Sequence, residues 1–205
     1  MEIILDQLSK RFNFTWLFRD LNHSFSAGSR TVILGSNGSG KSTLLQILAG
    51  YATVSEGTIG WKANSKAISA DNVYKHISLA TPYLELIEDF SLREHIEFHF
   101  KLKPVCKGLS TEELIQLSGL KDKSETRIAY FSSGMKQRVR LLLAILSDTP
   151  LVLLDEPTSN LDERATDWYN DLIEQFGAQR TIVVCSNSVA AEYAFCTEQI
   201  DLSKR

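Results

Sequence analysis

Apolar residues along this chain fall into two spacings. Short apolar runs at 3–8, 31–34, 57–61, 77–80, 151–154 and 181–185 predict strands. The run at 151–154 is apolar throughout and that at 181–185 nearly so, as expected of strands covered on both faces. Helical spacing stands between them. Leu44, Leu45, Ile47 and Leu48 predict a helix over 42–49 that stops at Gly50. Ala165, Trp168, Tyr169, Leu172, Ile173 and Phe176 form one stripe of a helix over 163–176, with Asp162 as its N-cap and Gly177 as its end. Residues 22–30 read as a turning segment. Strands alternating with helices predict an α/β fold with a mostly parallel sheet.

The middle of the chain has a different pattern. Ser91-Leu92-Arg93-Glu94 and Ser110-Thr111-Glu112-Glu113 each read as a capping box, the serine accepting an exposed backbone N–H while the glutamate returns the bond. The first precedes a helix to about residue 102, with Leu92, Ile96, His99 and Phe100 on one face. Residues 90–146 are therefore expected to form an inserted α-helical subdomain, with 1–89 and 147–205 making the core of one domain.

Composition narrows the function classes. The chain has 205 residues, 43% hydrophobic and 23% charged, the balance of one folded domain. A net charge of −3 argues against a basic nucleic-acid or membrane-surface binder. Cys106, Cys185 and Cys196 show neither CxxC spacing nor an even count, so reduced thiols are expected. The N-terminus lacks a basic region followed by an apolar run, so no signal peptide is expected. The longest apolar stretch, 141–146, falls far short of the roughly 20 residues that cross a bilayer. Any membrane role is expected to run through a partner.

Three motifs carry chemistry. Gly35-Ser36-Asn37-Gly38-Ser39-Gly40-Lys41-Ser42, with Thr43 after it, fits the phosphate-binding GxxxxGK[ST] loop between a strand and a helix. Its glycines let successive N–H groups turn inward, and the helix N-terminus adds a positive dipole end. Lys41 is expected at the β- and γ-phosphates and the Ser42 hydroxyl on Mg²⁺. A dinucleotide fingerprint does not fit, because Gly38-Ser39-Gly40 runs into Lys-Ser-Thr. The strand over 151–154 then delivers Asp155, expected to hold Mg²⁺ through water, and Glu156, expected to accept a proton from the attacking water. Ser132-Ser133-Gly134-Met135-Lys136-Gln137-Arg138 opens a helix and can offer N–H groups and a hydroxyl to an anion.

In this order, with Pro157-Thr158-Ser159-Asn160-Leu161-Asp162 after Glu156, the motifs resemble those of ABC-type ATPases over residues 8–188. The resemblance implies a P-loop NTPase core with N-terminal antiparallel strands and a helical insert. It also implies ATP and Mg²⁺ as ligands, and a head-to-tail homodimer or heterodimer trapping two ATP molecules. Each ATP would lie on one P-loop, capped in trans by Ser132 and Gly134 of the other subunit. Phe12 takes the place of the aromatic that stacks on adenine, with Phe14, Trp16 and Phe18 nearby. A separate transmembrane permease subunit is implied, and with it a cytoplasmic location peripheral to the membrane; Tyr83-Leu84-Glu85-Leu86-Ile87 stands where that subunit would dock, or else packs the joint between the core and the helical insert.

Four positions depart from the family pattern: Ser133 and Met135 stand where the signature usually has glycine and glutamine, with the serine and second glycine retained, and two further departures matter more. Pro82 stands where a glutamine usually senses Mg²⁺ and the attacking water, and Asn187 stands where a histidine usually touches the γ-phosphate. Asparagine keeps a hydrogen bond but no charge. Slow hydrolysis is expected, with Glu156, Lys41 and Asn187 as the catalytic set; the rival is an ATP-binding regulatory module with negligible turnover. His95 and His99, one helical turn apart, lack a placed third ligand and read as structural.

Overall fold

A computed structural model describes residues 1–202; the last three positions of the expected core, 203–205, lie outside the described residues. Nine strands and five α-helices follow in chain order: β1 Glu2–Phe12, β2 Thr15–Phe25, β3 Arg30–Leu34, α1 Lys41–Leu48, β4 Glu56–Ala63, β5 Lys66–Ile68, β6 Ile77–Ala80, α2 Leu92–Leu102, α3 Thr111–Ser118, α4 Ser133–Leu146, β7 Leu151–Asp155, α5 Glu163–Phe176, β8 Thr181–Ser186 and β9 Glu198–Asp201. They build an antiparallel sheet in the order β2-β1-β4-β5 and a five-stranded sheet in the order β6-β7-β8-β3-β9. All pairings in the second sheet are parallel.

The continuous apolar character of β7 and β8 follows from this arrangement. Leu151, Leu153, Val183 and Cys185 face a cluster shared with α1 and the antiparallel sheet, including Ile3, Leu8, Phe18, Leu21, Leu44 and Leu48. Val152, Leu154, Ile182 and Val184 face the opposite cluster, formed with Ile96, Val139, Leu142, Tyr169 and Ile173 from the helices. A strand between two cores has no polar face to present. Both capping boxes form: Ser91 and Ser110 accept from the N–H groups of Glu94 and Glu113, and each glutamate returns the bond.

One expectation is corrected. Residues 22–30 do not turn as a unit, because 22–25 complete β2, which pairs with β1 from Ile3↔Phe25 to Phe12↔Thr15. The buried residues of β2 are Phe18, Leu21 and Phe25, and Asp20 adopts φ 51°. A bulge there resets the two-residue alternation, so the inward positions fall three and four apart and do not read as a strand. The Ser9 hydroxyl accepts the freed Asp20 N–H at 2.9 Å.

Candidate functional site

Parallel register places the C-terminal ends of the central strands side by side. Leu154 pairs with Val184, Asp155 with Cys185, and Leu34 with Ser186, so the segments beginning at Gly35, Glu156 and Asn187 leave the sheet along one edge. Crevices beyond such an edge are where open α/β sheets bind ligands.

The Gly35–Ser42 loop closes on itself. Ser39 N–H donates to Ser36 O at 3.1 Å, and Gly40 caps α1 at φ 96°, where a Cβ would lie 3.1 Å from Leu17 and Phe18. Glycine is thus required by both backbone conformation and space. Lys41 is buried at 5% exposure. Its ammonium donates to Gly35 O at 2.8 Å, Ser36 O at 3.1 Å and Asn187 Oδ1 at 2.6 Å.

Asn187 joins two of the predicted residues. While Oδ1 accepts from Lys41, Nδ2 donates to Glu156 Oε1 at 2.5 Å. One neutral carboxamide bridges the loop lysine and the carboxylate. Glu156 itself adopts φ 45° and Ser188 φ 70°, left-handed conformations that cost non-glycine residues about 1–3 kcal/mol and concentrate at working sites. The ladder continues through Glu156 N–H to Cys185 O at 2.9 Å.

Asp155 lies beneath at 2% exposure, hydrogen-bonded to Ser42, and its Oδ1 has no partner among the described residues. Burial pushes its carboxyl above the ordinary range; the Ser42 hydroxyl and Lys41 oppose that shift and Glu156 adds to it. A buried, half-satisfied carboxylate beside a hydroxyl has the donor chemistry of a hard divalent cation site.

Lys41, Ser42, Glu156 and Asn187 border a cleft of about 520 Å³, whose walls also include Phe12, Asn37, Gly38, Thr43 and Tyr83. Phe12 is 55% exposed, with the Lys10 ammonium 5.1 Å from its ring centroid. The other three aromatics lie elsewhere: Phe18 in the core, Phe14 exposed, and Trp16 stacked against the Arg11 and Arg19 guanidinium groups. Gly35 and Ser36 border an adjoining depression with Asn37 and Asn187. The Ser39 hydroxyl is buried without a partner among the described residues.

Ser132 and Gly134 do not border this cleft. Ser132 caps α4, its Oγ accepting from Met135 N–H at 3.3 Å, and both residues line a separate depression with Asn160 and Asp162. A Cβ on Gly134 would lie 2.7 Å from Asn160 O, so glycine lets the loop after β7 press against this helix start.

Tyr83 separates from its neighbours in sequence. Its ring joins the Lys41–Glu156 cleft, whereas Leu84, Leu86 and Ile87 border an apolar groove of about 320 Å³ with Phe98, Leu102 and Arg140. The histidine pair is used internally: Ile87 N–H donates to His95 Nε2, and His99 Nε2 meets Ser147 Oγ at 2.9 Å. Glu192, which no motif marked, lies behind Glu156 at 2% exposure. No helix among the described residues is long and apolar enough to cross a membrane.

Residues 18–159 match the family profile described as ABC transporter. ATP-binding cassette sub-family A member 17 of Mus musculus is 33% identical over 178 residues, covering 82% of this chain and 10% of that protein. The sulfate/thiosulfate import ATP-binding protein CysA of Mesostigma viride is 30% identical over 201 residues, covering 95% of this chain and 58% of that protein. The chain thus spans from one tenth to little over half of these relatives. A solved dimeric post-hydrolysis state of the ATP-binding cassette MJ0796, bound to ADP and Pi, superposes with a TM-score of 0.81 at 20% identity, over 97% of this chain and 93% of that one. Likeness at that identity shows a shared fold.

Proposed function

The chain belongs to the ABC transporter family, and from that premise we propose that it is an ATP-hydrolysing cassette that drives a separate membrane-spanning subunit. The observation that carries this reading is the Lys41–Asn187–Glu156 bridge beside Ser42 and Asp155. It joins a phosphate-binding cation, a cation site and a base at one strand edge. The N–H groups of 35–43 bind the β- and γ-phosphates, and Phe12 stacks on adenine. Lys41 exchanges Asn187 Oδ1 for phosphate oxygen when nucleotide enters.

The residues present fit Mg²⁺. Ser42 and the unpartnered Asp155 Oδ1 would hold it, directly or through water. When bound, it neutralises charge on the phosphates. Glu156 takes the proton of the attacking water. Asn187 fixes Glu156 Oε1 and leaves Oε2 free to face that water. Pro82 offers no side-chain hydrogen bond, so the Tyr83 hydroxyl is the polar group this segment brings to the cleft. Removing one preorganised donor costs about 10²–10³ in rate, which makes slow basal turnover the expectation.

Ser132 and Gly134 lie apart from their own P-loop, which favours their use on the ATP of a second subunit, head to tail. The dimeric state of the solved cassette with ADP and Pi supports the same reading. The second subunit is another copy or a related chain. The groove beside Leu84 and Ile87 is the docking place for the permease subunit, which sets the chain on the cytoplasmic face of a membrane. Lys41→Ala tests the site: it should abolish ATP binding and Mg²⁺-dependent phosphate release, and ATP affinity equal to that of the unaltered protein would refute the assignment.

A further inference from the structure

Glu192 is a buried carboxylate that the mechanism above does not use. Its Oε1 accepts from Thr158 Oγ1 at 3.1 Å and from Thr158 N–H at 3.3 Å, and its Oε2 accepts from the Ser186 hydroxyl. Ser186 in turn accepts from Val189 N–H at 3.1 Å, so its proton points to the carboxylate. The Glu192 carbonyl accepts the Tyr169 hydroxyl at 2.9 Å, fixing the backbone at the same place. Both oxygens are acceptors, the pattern of an ionised group held by donors, although burial pushes this carboxyl above its ordinary range.

These bonds join the loop after Glu156 to the end of β8, one step beyond the Asn187–Glu156 hydrogen bond that links the same two segments at the cleft. Ser186 precedes Asn187, which holds Lys41 and Glu156. Thr158 lies in the loop after Glu156, and α4 grips that loop from its other side. Gln137 Nε2 donates to Pro157 O at 3.0 Å, and Asn160 O presses on Gly134. A continuous path therefore runs from the P-loop cleft through Ser186, Glu192 and Thr158 to the helix start that carries Ser132.

We propose that Glu192 is a positioning residue that pins the loop after Glu156 to the end of β8 and so couples the state of its own P-loop cleft to the surface this subunit offers to a second one. The proposal rests on the ATPase reading given above. Loss of the pin frees Thr158 and with it Asn160, and loosens the strand end that aims Asn187. ATP binding through the P-loop backbone and Lys41 is untouched. The effect belongs to turnover and subunit closure.

The full chain is compared as the unaltered protein, Glu192→Ala, Glu192→Gln and Lys41→Ala, measuring binding of a fluorescent ATP analogue, kcat, KM and the ATP-dependent dimer fraction. Glu192→Ala should bind the analogue as the unaltered protein does, with kcat about tenfold lower, the factor carried by one lost charge-assisted hydrogen bond. Its dimer fraction should fall in parallel. Glu192→Gln should recover most of the rate, since its Oε1 can still accept both Thr158 donors. Unchanged kcat and dimer fraction in Glu192→Ala, an equal loss of ATP binding, or a Gln variant no better than Ala would each overturn the proposal. If Glu192→Ala does not fold, Thr158→Val removes one donor to the same oxygen and should show the same split between kcat and KM; no split refutes the pin. Turnover in the unaltered protein no greater than in Lys41→Ala sinks the ATPase reading instead, and the pin is then judged on the dimer fraction.

Discussion

Asn187 supplies with one carboxamide an acceptor for Lys41 and a donor for Glu156. A neutral amide can do both without titrating, and it places no positive charge near the γ-phosphate. Asn187→Ala removes both bonds, so kcat should fall by about tenfold or more while ATP still binds. Asn187→His should raise kcat, because an imidazole can donate to phosphate and carry charge. Steady-state phosphate release decides this, and identical rates in the three proteins would make the position catalytically silent. The Gly35–Ser42 loop and Asp155-Glu156, which the fold brings to one sheet edge, stand out in sequence because each is a contiguous string whose proposed chemistry depends on neighbours along the chain. Glu192 does not. A lone glutamate acquires meaning only when folding seals it against Thr158 and Ser186, residues 34 and six positions away.

The stretch between β6 and α2 divides at a single peptide bond in what it serves. Tyr83 belongs to the Lys41–Glu156 cleft, while Leu84 and Ile87 belong to the groove against α2 and α4. Sequence placed all five residues 83–87 together in a docking segment, since adjacency in sequence cannot show which way a turn throws its side chains. Ile87 is 39% exposed and Leu86 only 8%, so Ile87 is the informative position for charge substitution. Ile87→Asp should release the proposed permease subunit in co-purification with ATP binding intact, whereas Tyr83→Ala should lower turnover and leave that docking unchanged.

The seat of α2 against the end of α4 gives a pH dependence. Burial, with Lys103 and His95 nearby, pushes His99 down to about 4 from 6.5. Between those values the unfolded chain binds the proton and the folded one does not, so stability falls as pH drops. By linkage the loss reaches about 2 kcal/mol at pH 5 relative to neutral pH. Thermal unfolding of His99→Gln should show a shallower decline from pH 7 to 5 than the unaltered protein; equal slopes would contradict the assigned shift.

At the scale of the molecule, much of the architecture could be read from local pattern. Strands in the parallel sheet are covered on both sides, so they announce themselves as apolar runs, and both capping boxes mark their helices within four residues. The antiparallel sheet was harder, because the bulge at Asp20 hides β2 and the short β5 buries no residue fully. The separation of Ser132 and Gly134 from the P-loop is a property of the whole fold. It makes a single subunit an incomplete enzyme on this account. The most direct measurement is therefore the mass in solution of Glu156→Gln, which should bind ATP without consuming it. With ATP and Mg²⁺ it should run at twice its nucleotide-free mass, and Ser132→Ala in the same background should weaken that dimer. A Glu156→Gln protein that binds ATP yet stays monomeric under every condition would contradict the shared-site account.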